Sequence, residues 1–157
     1  EISACLVGSE MCIRDSAATA HYDVVSTGTT GHAESVSITY DPSQISFGEL
    51  LRVFFSVAHD PTELDRQGPD EGTQYRSAIF YTTPHQRDLA QAYIRELESA
   101  KIFPQKIVTQ VVPLHAFYPA EAYHQDYVKH HPDNPYVVYN DVPKVARLRE
   151  IYPNLVK

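Results

Sequence analysis

The stretch Arg66-Gln-Gly-Pro-Asp-Glu-Gly-Thr-Gln-Tyr-Arg-Ser-Ala-Ile-Phe-Tyr81 has two halves with different chemistry. Gly68, Pro69, Asp70 and Gly72 punctuate a loop. Ser77 to Thr82 then reads as a buried strand, short and rich in apolar and aromatic residues. Between the halves stand Asp70, Gln74, Tyr75 and Arg76, polar groups placed where a loop runs into a strand. Loops held by a rigid scaffold are where function concentrates. The same residues also fit an ordinary loop-to-strand junction with a satisfied Arg–Asp pair.

Outward from this stretch the chain alternates strands and helices. Upstream, Tyr22 to Glu34 reads as a polar loop containing Gly28 and Gly31. Ser35 to Tyr40 places Val36, Ile38 and Tyr40 on one side, the pattern of a half-buried strand, and Asp41-Pro42 ends it. Ser46 with Glu49 three residues on forms a capping box. The helix it opens carries the apolar stripe Phe47, Leu50, Leu51, Phe54 and Phe55 and ends near His59-Asp60-Pro61. Downstream, Thr83-Pro84 opens a long helix with Leu89, Ala92, Tyr93, Leu97 and Ala100 at helical spacing, ended by Phe103-Pro104. Ile107 to Pro113 reads as a strand and His115 to Tyr118 as an aromatic link. Ala120 to His130 reads as a helix, Asp133-Asn134-Pro135 as a turn, Tyr136 to Tyr139 as an extended segment and Val142 to Tyr152 as a last helix closed by Pro153. No internal repeat is visible.

This order implies an α/β two-layer sandwich. Three strands with helices on one face leave sheet edges bare, and one more strand and helix ahead of them would cover the gap. Glu1 to Ser16 shows no periodicity. Its run Ala-Cys-Leu-Val-Gly-Ser-Glu-Met-Cys-Ile-Arg-Asp-Ser resembles a translated sequencing adapter, so residues 1–16 are expected to be a non-native leader and 17–157 a truncated domain.

Composition narrows the function classes. With 157 residues the chain suits one domain with one core. A net charge of -7 argues against a nucleic-acid surface or an anionic membrane. No apolar run approaches the length of a membrane span. Cys5 and Cys12 are the only cysteines, too few for a disulfide framework, which points to a reducing, cytoplasmic setting.

Two constellations could carry chemistry. Glu34 precedes one strand, and Asp70 with Tyr75 precedes another. If those strands are neighbours, the three groups meet at one end of a sheet. A carboxylic acid desolvated among tyrosine rings would have a raised pKa and could give up a proton near neutral pH. Phenol hydroxyls beside it could bind an anionic or dipolar oxygen. Glu34 equally reads as a surface residue at a strand start. The second set is His115, His124, His130 and His131 with Glu121, which could hold a metal but matches no strong zinc spacing. Cys5 and Cys12 lack the neighbouring His or helix start that activates a thiol.

At Thr30-Gly-His-Ala-Glu34, Tyr40-Asp-Pro, His59-Asp-Pro-Thr62, Arg66-Gln-Gly-Pro-Asp-Glu-Gly-Thr-Gln-Tyr-Arg-Ser-Ala-Ile79 and Phe117-Tyr-Pro-Ala-Glu-Ala-Tyr-His-Gln125, the chain resembles the A-type peptide methionine sulfoxide reductases. The motifs occur in family order from about Tyr22 to about Tyr127. The resemblance implies an α+β, ferredoxin-like fold lacking the family's first strand and helix, and reduction of methionine S-sulfoxide, free or in proteins. It implies Glu34 as proton donor and Asp70, Tyr22 and Tyr75 as the network that holds the oxygen. It implies no metal or organic cofactor, thioredoxin or a dithiol as reductant, and a monomer.

One departure is large. The family's nucleophile lies in a Gly-Cys-Phe-Trp motif at a helix start, where the helix N-terminus lowers the thiol pKa. This sequence has no such motif and no Trp. The acid and oxygen network are expected to be present and the nucleophile absent, with negligible turnover by these residues. The alternatives are a non-catalytic sulfoxide-binding module and a histidine–carboxylate metal enzyme.

Overall fold

The computed structural model describes residues 10–13 and 22–155. The described residues form three small sheets and five α-helices, with short 3-10 and π turns beside them. The first sheet has strand order β2-β1-β7. Its central strand β1 is Glu10–Ile13, flanked by β2, Ala33–Ser35, and β7, Ala116–Tyr118, both antiparallel. Arg66–Gln67 (β3) and Asp70–Glu71 (β4) form a two-stranded ribbon. Gly68 turns that ribbon at φ 57°, in the left-handed region. Ala78–Tyr81 (β5) and Gln110–Pro113 (β6) pair in parallel.

A parallel pair needs a crossover, and the long helix predicted after Thr83 supplies it. With α1 the single turn Tyr22–Val25 and α2 the helix Phe47–Val53, this crossover is α3, Pro84–Ser99. Thr83 caps it by accepting from the Gln86 backbone N–H at 3.2 Å. The capping box of α2 is formed as the sequence predicts. Ser46 Oγ accepts from the Glu49 backbone at 3.2 Å, and Glu49 Oε2 accepts from the Ser46 backbone at 2.8 Å. The helix then widens into a π turn over Phe54–Ala58.

The apolar stripe of α2 buries Leu51 and Phe55 against Ala90 and Ile107, with Ile79, Tyr93, Leu97 and Val111 around them. Each large side chain in this cluster contributes about 1.5–3 kcal/mol by leaving water. Under its edge His59 Nε2 lies 2.5 Å from Ser77 Oγ, and Ser77 Oγ lies 2.8 Å from Thr109 Oγ1.

Six expectations about individual elements are corrected. Residues 1–16 show no periodicity and were expected to lead into no structured element; residues 10–13 nevertheless form strand β1, at the centre of the first sheet. Tyr22–Val25 forms a turn of helix where only loop was expected. The predicted strand Ser35–Tyr40 stops at Ser35, and Val36 and Ile38 are 54% and 41% exposed. Alternation alone does not make a strand when no surface waits to bury it.

The link His115–Tyr118 contains strand β7. The predicted helix Ala120–His130 is broken at Asp126, whose φ of 54° ends one turn at Ala122–His124 before α4, Tyr127–His130, begins. Tyr136 to Tyr139, expected to be extended, is helical. Asn134 Oδ1 accepts from the Tyr136 N–H at 2.9 Å, and the Val138 N–H donates to the Asn134 carbonyl at 2.9 Å. This local cap starts a π turn, Val137–Asp141, that runs into α5, Val142–Ile151.

Candidate active site

Glu34 sits in the middle of β2, opposite Met11 of the central strand. Strands β2 and β5 lie in different sheets, so Glu34 and Tyr75 do not meet as ends of neighbouring strands. Loops bring them together. Gly28 and Gly31 turn the segment before β2, and Gly72 turns the segment before Tyr75, each at positive φ. At Gly72, with φ 135°, a Cβ would fall 2.3 Å from Gln74 Oε1. The loop closes this tightly on the Gln74 side chain only because that position carries none of its own. Gln74 is buried, and its Nε2 donates to the Ser26 carbonyl at 3.3 Å.

Glu34 is the chemically distinctive group. Burial, the largest effect, pushes its carboxyl pKa above the ordinary 4.5; the Tyr75 hydroxyl donates to it and pulls the value down, and the Asp70 charge pushes it up. Glu34 Oε1 is buried without a hydrogen-bond partner among the described residues. A carboxyl group in this condition holds its proton more readily than a surface glutamate and can donate it.

Asp70 has a partner that the sequence did not suggest. The Tyr136 hydroxyl donates to Asp70 Oδ2, across 66 residues of chain. Burial, and after it the hydrogen bond to Asp70, push the Tyr136 phenol well above its usual range. Asp141 joins the same group. Its carboxyl is pushed up mainly by burial, with Asp70 adding to the rise and Lys144 opposing it. Lys144 Nζ is 3.9 Å from Asp141 Oδ1.

The structure therefore brings Glu34, Tyr75 and Asp70 together and adds Tyr136. No local periodicity pointed to Tyr136, because its role depends on a contact made only in the fold. Tyr22 begins α1, and its side chain lies outside the described residues. Among the described residues, no group of three or more His, Cys, Asp or Glu side chains is placed to hold a metal ion. The register places Cys12 opposite Ala33 on one side and Phe117 on the other, and it is Met11 that stands across from Glu34.

The site thus sets a carboxylic acid of raised pKa in hydrogen bond with a phenol, on an α+β scaffold of small sheets. Comparison with known proteins gives this arrangement a family. The family model for peptide methionine sulfoxide reductase matches residues 13–155. The chain is 57% identical over 134 residues to peptide methionine sulfoxide reductase MsrA 2 of Mesorhizobium japonicum, covering 85% of this chain and 69% of that protein. It is 56% identical over 140 residues to MsrA 2 of Synechocystis, covering 89% of this chain and 65% of that protein. Among solved structures it is similar to Mxr1 from Saccharomyces cerevisiae in reduced form, with a TM-score of 0.73 and 33% identity over 81% of this chain and 71% of that one.

The chain belongs to the peptide methionine sulfoxide reductase family, a family of oxidoreductases. It spans about two thirds of the length of the two relatives named above. Among the described residues, no helix is long and apolar enough to cross a membrane.

Proposed function

We propose that this site binds the sulfoxide group of oxidised methionine, with Glu34 as the proton donor to its oxygen and Tyr75 and Tyr22 as hydrogen-bonding phenols. The observation that carries this reading is the Glu34 carboxyl, raised by burial and held by Tyr75 beside Asp70. An S=O oxygen is a strong acceptor with a partial negative charge. A protonated carboxyl and phenol hydroxyls donate to it, whereas a carboxylate would repel it. Asp70 orients the phenol of Tyr136 and, through its charge, helps keep Glu34 protonated.

In the complete reaction two thiols supply two electrons. One thiolate attacks the sulfoxide sulfur, the S–O bond breaks as Glu34 delivers a proton to the oxygen, and methionine and a disulfide form with release of water. A thioredoxin-type dithiol fits the role of reductant. The Gly-Cys-Phe-Trp motif is not among these 157 residues, so they are expected to bind sulfoxide without turning it over.

The test uses the full chain with methionine S-sulfoxide. Calorimetry is expected to show saturable binding that Glu34→Ala weakens at least tenfold at pH 5, and dithiothreitol is expected to yield no methionine. Absence of binding would overturn the proposed site, and sustained methionine production would overturn the assignment of binding without turnover.

A further inference from the structure

We propose that Arg76 is a positioning residue that locks the Glu34 loop onto the Tyr75 loop, so that acid and phenol meet only while its guanidinium is in place. The inference rests on the reading of Glu34 as proton donor. Arg76 follows Tyr75 directly, in the short link between the turn Thr73–Tyr75 and strand β5. Its Nη1 donates to the His32 carbonyl at 2.9 Å and the Thr73 carbonyl at 2.7 Å, and its Nη2 donates to the Gly31 carbonyl at 3.0 Å. His32 and Gly31 lie two and three residues before Glu34, and Thr73 lies two before Tyr75. A single planar group thus spans both chain segments. Its five donors in a fixed fork suit this geometry.

Two neighbours reinforce the lock on the same side. Thr73 Oγ1 donates to the Gly28 carbonyl at 2.9 Å, and Gln74 Nε2 donates to the Ser26 carbonyl. Every one of these bonds ends on a backbone carbonyl, so they fix the course of the chain rather than the chemistry of another side chain. Strands β2 and β5 share no sheet, so no backbone ladder does this work in their place.

A purely electrostatic role predicts the opposite behaviour, which makes the proposal testable. Loss of a nearby positive charge raises a carboxyl pKa, whereas loss of the lock admits water to Glu34 and lowers it. The experiment follows the Glu34 side-chain carboxyl by carbon-13 NMR titration in the full chain and in Arg76→Ala, Arg76→Lys and Thr73→Val. Lysine keeps the charge but offers one compact ammonium, which cannot span three carbonyls.

The lock predicts that the Glu34 midpoint falls in Arg76→Ala and also in Arg76→Lys, and falls by less in Thr73→Val, an exposed position. Binding of methionine S-sulfoxide weakens in the same order, by about tenfold for Arg76→Lys. An Arg76→Lys midpoint equal to that of the parent, or a rise in Arg76→Ala, would overturn the proposal. If Arg76→Ala fails to fold, Arg76→Lys and Thr73→Val decide. An ordinary Glu34 midpoint in the parent chain would sink the proton-donor reading itself. A raised parent midpoint that no variant moves would sink only the lock.

Discussion

The half of the molecule built from α2, α3, β5 and β6 and the half that carries Glu34 are held together differently. In the first, Leu51, Phe55, Ala90 and Ile107 exclude water, and the backbone pairs in a regular parallel ladder. In the second, the buried groups include His32 and Gln74, and the links run from side chains to backbone carbonyls. Apolar burial is non-directional and tolerates small displacements. Hydrogen bonds to carbonyls are directional and fix the approach of one loop to another. A site that must hold a carboxyl and a phenol within hydrogen-bond reach is built from the second kind of contact and anchored to a body made of the first.

The largest effect that tests this division is Phe55→Ala. It leaves a cavity in the apolar half and is expected to cost about 3–5 kcal/mol of folding stability. Denaturant unfolding measures the loss. If the halves are held as described, Glu34 titrates in the folded variant as it does in the parent chain, and a displaced Glu34 midpoint would show that the apolar body also sets the site.

A somewhat smaller effect concerns His59, which stands where α2 meets the loop toward Asp70. Burial lowers its pKa from 6.5 to about 4; Asp60 and Glu63 oppose the fall and Lys144 adds to it. The Phe54 ring packs on it, with ring centres 4.1 Å apart. Because the folded value is depressed, the unfolded chain takes up this proton first as pH falls. His59 therefore costs no stability above pH 6.5, and its neutral burial destabilises the fold progressively as pH drops toward 4. A difference from 6.5 to about 4 corresponds to about 3 kcal/mol at its full extent.

Glu34 acts with the opposite sign. Its folded pKa is raised, so the folded chain holds a proton that the unfolded chain has released, and stability falls as pH rises through 4.5 and above. Comparing unfolding of the parent with His59→Gln between pH 4 and 7 isolates the histidine. The variant is expected to lose less stability on acidification than the parent, and equal slopes would count against a buried neutral His59.

The apolar half was the more legible in sequence. The capping box at Ser46 and Glu49, the stripe of α2 and the Pro84 start of α3 are local patterns, and each formed where its residues predicted. The polar half was legible only in part. Glu34, Asp70 and Tyr75 stood out as polar groups beside strands and through their motifs, but the contact between them runs through Arg76 and Gln74 to carbonyls more than 40 residues away. No short-range pattern encodes such a bond. Tyr136 was missed for the same reason, since its partner Asp70 is remote in the chain. The strand β1 was missed because Glu10–Ile13 is four residues long without alternation, and its place is set by partners at Ala33–Ser35 and Ala116–Tyr118. Asp126 broke a helix through a left-handed backbone, which an aspartate adopts more readily than most residues.

The most direct measurement is the titration of the Glu34 carboxyl in the parent chain, in Tyr75→Phe and in Asp70→Asn. The account predicts a parent midpoint above 4.5, a higher one in Tyr75→Phe, where the donated hydrogen bond is gone, and a lower one in Asp70→Asn, where the neighbouring charge is gone. A parent midpoint at or below 4.5, or one that neither substitution moves, would contradict a proton donor held between Tyr75 and Asp70.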